Sequence, residues 1–207
     1  MSMSTVDYFF SLLSPWAYLG HPTLLEVAAS TGAGIRYRPM QFQPVLAAAG
    51  GQALKDRPLA RQHYRLIELQ RWRAQRGLPL DLQPRFFPVD VSLADRVVIA
   101  LVQAGKDPAG YVGDAGRALW AEQGDLSDRA LIGGLLERHG LPASELLAAA
   151  DGEQAGNEYQ ANTQAAIAAG LPGMPAYVLD GEVFWGQDRL DMLQGALRSP
   201  RPPYRIP

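Results

Sequence analysis

The chain has 207 residues, 47% of them hydrophobic and 19% charged, with a formal net charge of −2. That is the make-up of an ordinary globular domain, and near neutrality argues against nucleic acid as a partner of the whole surface. There is no cysteine, which excludes structural disulfides, thiolate metal ligands and self-contained thiol–disulfide exchange.

Met1 to Thr5 carries no basic residue, and the apolar run that follows is short. No stretch approaches the roughly 18 apolar residues of a membrane span, so the expected location is the cytoplasm, with no membrane partner. Thr5 to Leu13 predicts a buried, aromatic-rich strand bounded by Ser-Pro. Pro15 to Ser30 predicts a helix with Leu19, Leu24, Val27 and Ala28 on its core face and a kink at Pro22. Gly32-Ala33-Gly34 stops it. Gly34 to Met40 then alternates, Ile35 and Tyr37 against Arg36 and Arg38, as a strand does. Strand, helix, strand is the signature of a βαβ unit with a parallel pair.

A helical stretch follows. Ala60 to Arg76 carries Tyr64, Ile67, Arg71 and Ala74 at three- and four-residue spacing and ends at Gly77-Leu78-Pro79. Helices are predicted over Ser92 to Ala104, Pro108 to Glu122, Ser127 to His139, Pro142 to Ala150 and Glu153 to Ala169, the first three opening on Ser or Asp-Pro caps. Strands return at Pro175 to Leu179 and Glu182 to Trp185, joined by Asp180-Gly181, a type I′ hairpin signal. Gln187 to Arg198 is a closing amphipathic helix with Leu190, Leu193 and Leu197 as its stripe. Pro200 to Pro207 is irregular. Neither end has enough strands to stand alone, so both ends pair in one sheet. The expected architecture is α/β: βαβ and ββα halves, interrupted by an all-helical insertion.

Ser14 is the residue most suited to chemistry. It ends the first strand and precedes Pro15, which has the fixed φ of a first helical residue. By default such a serine is only an N-cap. Two features raise it above that. It lies at the carboxyl end of a strand, where open α/β sheets place ligands, and a helix start favours an anion. Gly173-Met174-Pro175, opening a later strand, is also suited to a cis peptide that leaves the Met174 N–H and C=O free for an extended peptide. Thioredoxin-like oxidoreductases place a reactive cysteine where this chain has Ser14.

His21, His63 and His139 are scattered, so no metal site is expected. Lys55 to Arg76 holds seven basic against two acidic residues, a local +5. Arg65 and Arg73 read as a solvated face. Lys55, Arg61 and Tyr64 read as candidates for an anionic substrate. Trp72 reads as core, as do Phe42, Phe87, Trp120 and Tyr159.

Taken together, Ser14-Pro15-Trp16-Ala17-Tyr18-Leu19-Gly20, Gly173-Met174-Pro175 and Trp185-Gly186-Gln187-Asp188-Arg189-Leu190 resemble the 2-hydroxychromene-2-carboxylate isomerase family. Tyr64, Glu68 to Trp72, Gly77-Leu78-Pro79 and Phe86-Phe87-Pro88 extend the resemblance over about Val6 to Leu197. That family is grouped with kappa-class glutathione transferases and DsbA-like proteins. The resemblance implies a thioredoxin-like fold split as 1–45 and 165–207 around a helical domain of 46–164. It implies a glutathione cofactor, an anionic aromatic substrate and a homodimer. Ser14 matches the catalytic serine, Met174 and Pro175 the site pairing with the cysteinyl unit, and Trp185, Gly186, Gln187 and Asp188 the loop at the γ-glutamyl end. Ser11 stands where members often carry an acid, and Gln187-Asp188 where they carry Asn-Asp, which bears on the exact substrate.

The chemistry of the residues agrees. No base adjoins Ser14, so it is a poor nucleophile, but its hydroxyl can donate to a thiolate that a cofactor brings. Such a thiolate, adding reversibly to an unsaturated pyruvate, would allow rotation about the former double bond and consume no glutathione. Two alternatives remain at this stage: a kappa-like transferase or peroxidase using the same thiolate, and a non-catalytic thioredoxin-fold module binding peptides at Pro175.

Overall fold

The computed structural model describes residues 4–199 and 201–205, so Pro200 and the last two residues of the expected irregular tail lie outside it. In chain order the elements are β1 (Thr5–Phe10), α1 (Pro15–Thr31), β2 (Gly34–Pro39), α2 (Phe42–Ala48), α3 (Leu59–Arg76), α4 (Ser92–Gln103), α5 (Ala109–Ala121), α6 (Arg129–Arg138), α7 (Ala143–Asp151), α8 (Glu153–Ala168), β3 (Ala176–Leu179), β4 (Glu182–Trp185) and α9 (Leu190–Arg198). Single 3-10 turns occupy Leu54–Asp56 and Gln187–Arg189.

The strands form one sheet in the order β2-β1-β3-β4. β1 runs parallel to β2, as the βαβ reading requires, and antiparallel to β3, so the two ends of the chain do share a sheet. Asp180 and Gly181 both have positive φ, 51° and 85°, as a type I′ turn demands.

Alternation along β1 sends Tyr8 and Phe10 to one face and Phe9 to the other. Tyr8 stacks on Phe10 at 4.3 Å and on Tyr177 of β3 at 5.3 Å, in a core shared with Leu19 and Leu24 of α1. Phe9 packs with Met40, Val45, Ala166 and Met174. Both faces of the sheet therefore carry packed side chains, and on the Phe9 face Asp7, Arg36 and Arg38 form a charged cluster beside β2. Each fully buried large side chain contributes about 1.5–3 kcal/mol.

Several expectations are corrected. β1 ends at Phe10, not Leu13, because the Ser11 hydroxyl and Leu12 N–H turn away to the carboxylate of Asp95. α1 continues past Pro22 to Thr31, one residue beyond the expected end. The helix α2 carried no periodic signal strong enough to predict it. Ser92 and Ser127 do not cap their helices. Asp90 takes the Ser92 N–H at 2.9 Å, and Asp128 takes that of Ala130 at 2.8 Å. At both ends a charged acceptor holds a first-turn N–H. The helix predicted over Ala60 to Arg76 is present as α3, with Tyr64 and Ile67 exposed and Leu69 fully buried.

Candidate active site

Three successive N–H groups of the turn between β1 and α1 are held. Leu12 N–H donates to Asp95 Oδ1 at 2.9 Å, Leu13 N–H to Ser11 Oγ at 3.3 Å, and Ser14 N–H to the Ser11 carbonyl at 3.0 Å. Ser14 has the extended backbone of an N-cap, φ −94° and ψ 118°, and its Oγ accepts from Ala17 N–H at 3.2 Å. Pro15 has no N–H to satisfy. Trp16 N–H has no partner among the described residues. One hydroxyl proton and one backbone N–H therefore remain unspent at the positive end of a 17-residue helix. Ser14 itself is 3% exposed, so a ligand atom reaches Oγ only if the side chains covering the turn shift.

Met174-Pro175, which leads into β3, is a cis peptide. Neither Met174 N–H nor its carbonyl has a partner among the described residues, while the Pro175 carbonyl accepts from Gly186 N–H at 2.9 Å. That bond ties the loop after β4 to the start of β3. Gly186 adopts φ +100°, a region open to glycine alone, and a Cβ there would collide with the Asp188 carboxylate. The Trp185 indole, 52% exposed, stands over Gly173, where a Cβ would come within 3.0 Å of Nε1.

These parts meet in an open groove of about 270 Å³ lined by Trp16, Glu68, Trp72, Met174 and the run from Trp185 to Arg189. It is just below the ~300–1,000 Å³ usual for small-molecule pockets, which suits a ligand laid along a surface rather than engulfed. The geometry thus brings together Met174, Trp185, Gly186, Gln187 and Asp188. Pro175 is continuous with them and buried. Ser14 does not line the groove, although Trp16 of the same helix start does.

The polar groups are divided between the walls. Asp188 pairs with Arg189 at 2.7 Å. Gln187 is 2% exposed, and its amide and backbone carbonyls accept from the Arg76 guanidinium at 2.9 and 3.0 Å, so it is an anchor of the loop more than a free donor. Opposite, Glu68 of α3 is held below the usual carboxylate range by Arg71 at 2.5 Å, with the Tyr64 hydroxyl and the Trp72 indole assisting.

Of the substrate candidates, Lys55, Arg61 and Tyr64 are all exposed and none lines the groove, although the Tyr64 hydroxyl reaches Glu68, which does. Two readings of the basic stretch change. Arg65 is half-buried over the Phe87 ring at 5.6 Å, and burial pushes its ionisation down to about 10, with Arg57 adding to the effect. Arg73 caps the Leu80 carbonyl at 2.9 Å. Neither is simply solvated. Trp72 lines the groove and carries the Arg76 guanidinium over its ring at 5.1 Å, so it is more than core.

Sequence reasoning assigned no site role to Trp16, Glu68, Arg76, Arg189 or Asp95, although Trp16, Glu68 and Arg189 lie within the runs that carry the resemblance and Asp95 is a carboxylate two residues before the apolar run Val97 to Val102. Among the described residues no group of three or more His, Asp or Glu side chains is arranged to hold a metal, and no helix is long and apolar enough to cross a membrane.

Residues 5–198 match the family model of the DSBA-like thioredoxin domain. The 2-hydroxychromene-2-carboxylate isomerase of Sphingobium xenophagum is 31% identical over 195 residues, which cover 93% of this chain and 97% of that protein. A solved structure of a 2-hydroxychromene-2-carboxylate isomerase superposes with a TM-score of 0.77 at 30% identity, over 94% of each chain. The cytosolic disulfide reductase DsbM of Pseudomonas aeruginosa, solved with GSH, shares the fold at a TM-score of 0.68 and 21% identity, over 94% of this chain and 100% of that one. With the serine-capped helix, the cis-proline strand and the split sheet in place, the chain belongs to the DSBA-like thioredoxin-domain family and, within it, to the 2-hydroxychromene-2-carboxylate isomerases.

Proposed function

We propose that this isomerase interconverts 2-hydroxychromene-2-carboxylate, or a related aromatic unsaturated pyruvate, in a glutathione-dependent reaction, with Ser14 holding the glutathione thiolate. The observation that carries the reading is the pair of unspent donors, Ser14 Oγ–H and Trp16 N–H, at the start of α1 in a chain without cysteine. When bound, glutathione supplies the sulfur nucleophile that the chain lacks.

The residues fit such a tripeptide. The free Met174 N–H and carbonyl suit pairing with its extended backbone. Glu68 and Asp188 suit its ammonium, and Arg189 its carboxylate. Ser14 Oγ already accepts from Ala17 N–H, which polarises the hydroxyl and strengthens it as a donor. Donation to the charged form, added to the helix dipole, lowers a thiol pKa, and each unit is worth about 1.4 kcal/mol. The cationic run Arg57, Arg61 and Arg65 supports an anionic substrate. On this reading the thioredoxin-like part is 1–45 with 165–207 and the helical part 46–164, and the protein acts as a cytoplasmic homodimer.

The test has two arms. Titration calorimetry should show glutathione binding in preference to an unrelated tripeptide; equal binding would favour a peptide-binding module. Catalytic glutathione should then drive many turnovers of hydroxychromene carboxylate with none consumed. Stoichiometric loss of thiol would make the protein a transferase or peroxidase instead.

A further inference from the structure

The helical layer reaches into the active-site turn through two side chains, and one of them is an acid. Asp95 of α4 is fully buried. Its Oδ1 accepts from Leu12 N–H at 2.9 Å. Its Oδ2 accepts from the Ser11 hydroxyl at 2.7 Å and from the Tyr159 hydroxyl of α8 at 2.9 Å. Trp120 of α5 completes the grip, donating its indole N–H to the Leu12 carbonyl at 3.2 Å. No cation compensates the carboxylate among the described residues; Arg96, next in sequence, turns to the Ala150 carbonyl and Asp151. A buried acid without a base is costly, and an apolar residue of like size would pack there more cheaply. The site of that cost is informative. The two residues it holds are the third and second before Ser14, and Ser11 in turn fixes Leu13 N–H through Oγ and Ser14 N–H through its carbonyl.

We propose that Asp95 is a positioning residue: it clamps the Ser11–Leu12 peptide from the helical layer so that the Ser14 hydroxyl is delivered to the ligand in one orientation. The clamp rests on the reading of Ser14 given above. A carboxyl group is suited to it because its two oxygens meet Leu12 N–H and the Ser11 and Tyr159 hydroxyls at once, and the adjacent contacts fix the peptide against rotation. Tyr159 holds the far side, which keeps the carboxylate from following the turn if the turn moves.

The proposal is tested by a double-mutant cycle on the full chain, measuring kcat, KM and the glutathione Kd. Asp95→Ala should lower kcat about tenfold or more, with the glutathione Kd changed less than about threefold, because the groove wall is untouched. Asp95→Asn should recover most of that loss, since its amide can satisfy the same groups as the hydroxyls of Ser11 and Tyr159 reverse. Ser14→Ala with Asp95→Ala should be no slower than Ser14→Ala alone, because the acid acts through the serine. If Asp95→Ala does not fold, Ser11→Ala replaces it in the cycle and should show the same non-additivity. Independent, multiplying losses would overturn the clamp while leaving the role of Ser14 intact, as would full activity of Asp95→Ala. Full activity of Ser14→Ala would remove the serine and the clamp together.

Discussion

At the scale of single residues, two hydroxyls in this core have opposite prospects. Ser14 Oγ accepts one bond and keeps its proton to give. On the proposed function, Ser14→Ala should leave the fold intact and lower kcat/KM by about 10²-fold, the usual loss when one preorganised donor to a developing anion is removed; steady-state kinetics would show it. The Tyr177 hydroxyl is buried with no partner. Tyr177→Phe removes an unmet donor and should raise stability or leave it unchanged, within about 1 kcal/mol, in a urea melt. The two predictions separate a polar group kept for chemistry from one that the packing merely tolerates. Asp188→Ala belongs to the same scale: with its pairing to Arg189 gone and one groove carboxylate lost, glutathione should bind several-fold more weakly by calorimetry.

Between elements, the decisive approach is α1 against the loop after β4. Gly20 lies so close to this loop that a Cβ there would come within 2.6 Å of Gln187 Cβ and 3.0 Å of the Tyr177 hydroxyl. Gln187 is also held by Arg76 from α3, so three elements converge on one buried side chain. Gly20→Ala must therefore push the loop outward. It should cost about 1–3 kcal/mol of stability and weaken glutathione binding at the same time, although Gly20 does not line the groove. A stable variant with unchanged Kd would show that the loop does not depend on this contact. The element types were legible in the sequence because periodicity and glycine stops are local. The helix starts were less so: α4 has no side-chain cap and gives its Ser92 N–H to Asp90, and at α6 only geometry decides that Asp128 rather than its neighbour Ser127 takes the Ala130 N–H.

For the molecule as a whole, pH acts through two buried groups of opposite sign. Burial pushes Asp95 up to about 7, against the donors Leu12, Ser11 and Tyr159, with Asp90 adding a like charge. A group whose folded pKa is raised favours the folded state while protonated, so this contribution is lost as pH rises from about 4 to about 7. His21, bonded through Nε2 to the Ala109 carbonyl at 2.9 Å and with Nδ1 unpartnered, is pushed below its ordinary value by burial. It opposes folding as pH falls through about 6.5, where the unfolded chain takes up a proton that the folded one refuses. The Tm advantage of Asp95→Asn over the native chain should therefore grow between pH 5 and pH 8. A difference flat across that range would show that the acid is already ionised in the folded state at pH 5.

The sequence by itself determined the strand–helix order at both ends, the serine at the helix start and the type I′ turn, because each is written in neighbours a few positions apart. Only the tertiary structure decided which face of α3 meets the groove, that Glu68 and Trp72 line it while Lys55 and Arg61 do not, and that Asp95 reaches the turn of Ser14 across 81 positions of chain. The physical reason is the same in each case. A helix pattern states which side chains share a face, but what that face meets is fixed by packing between elements distant in sequence.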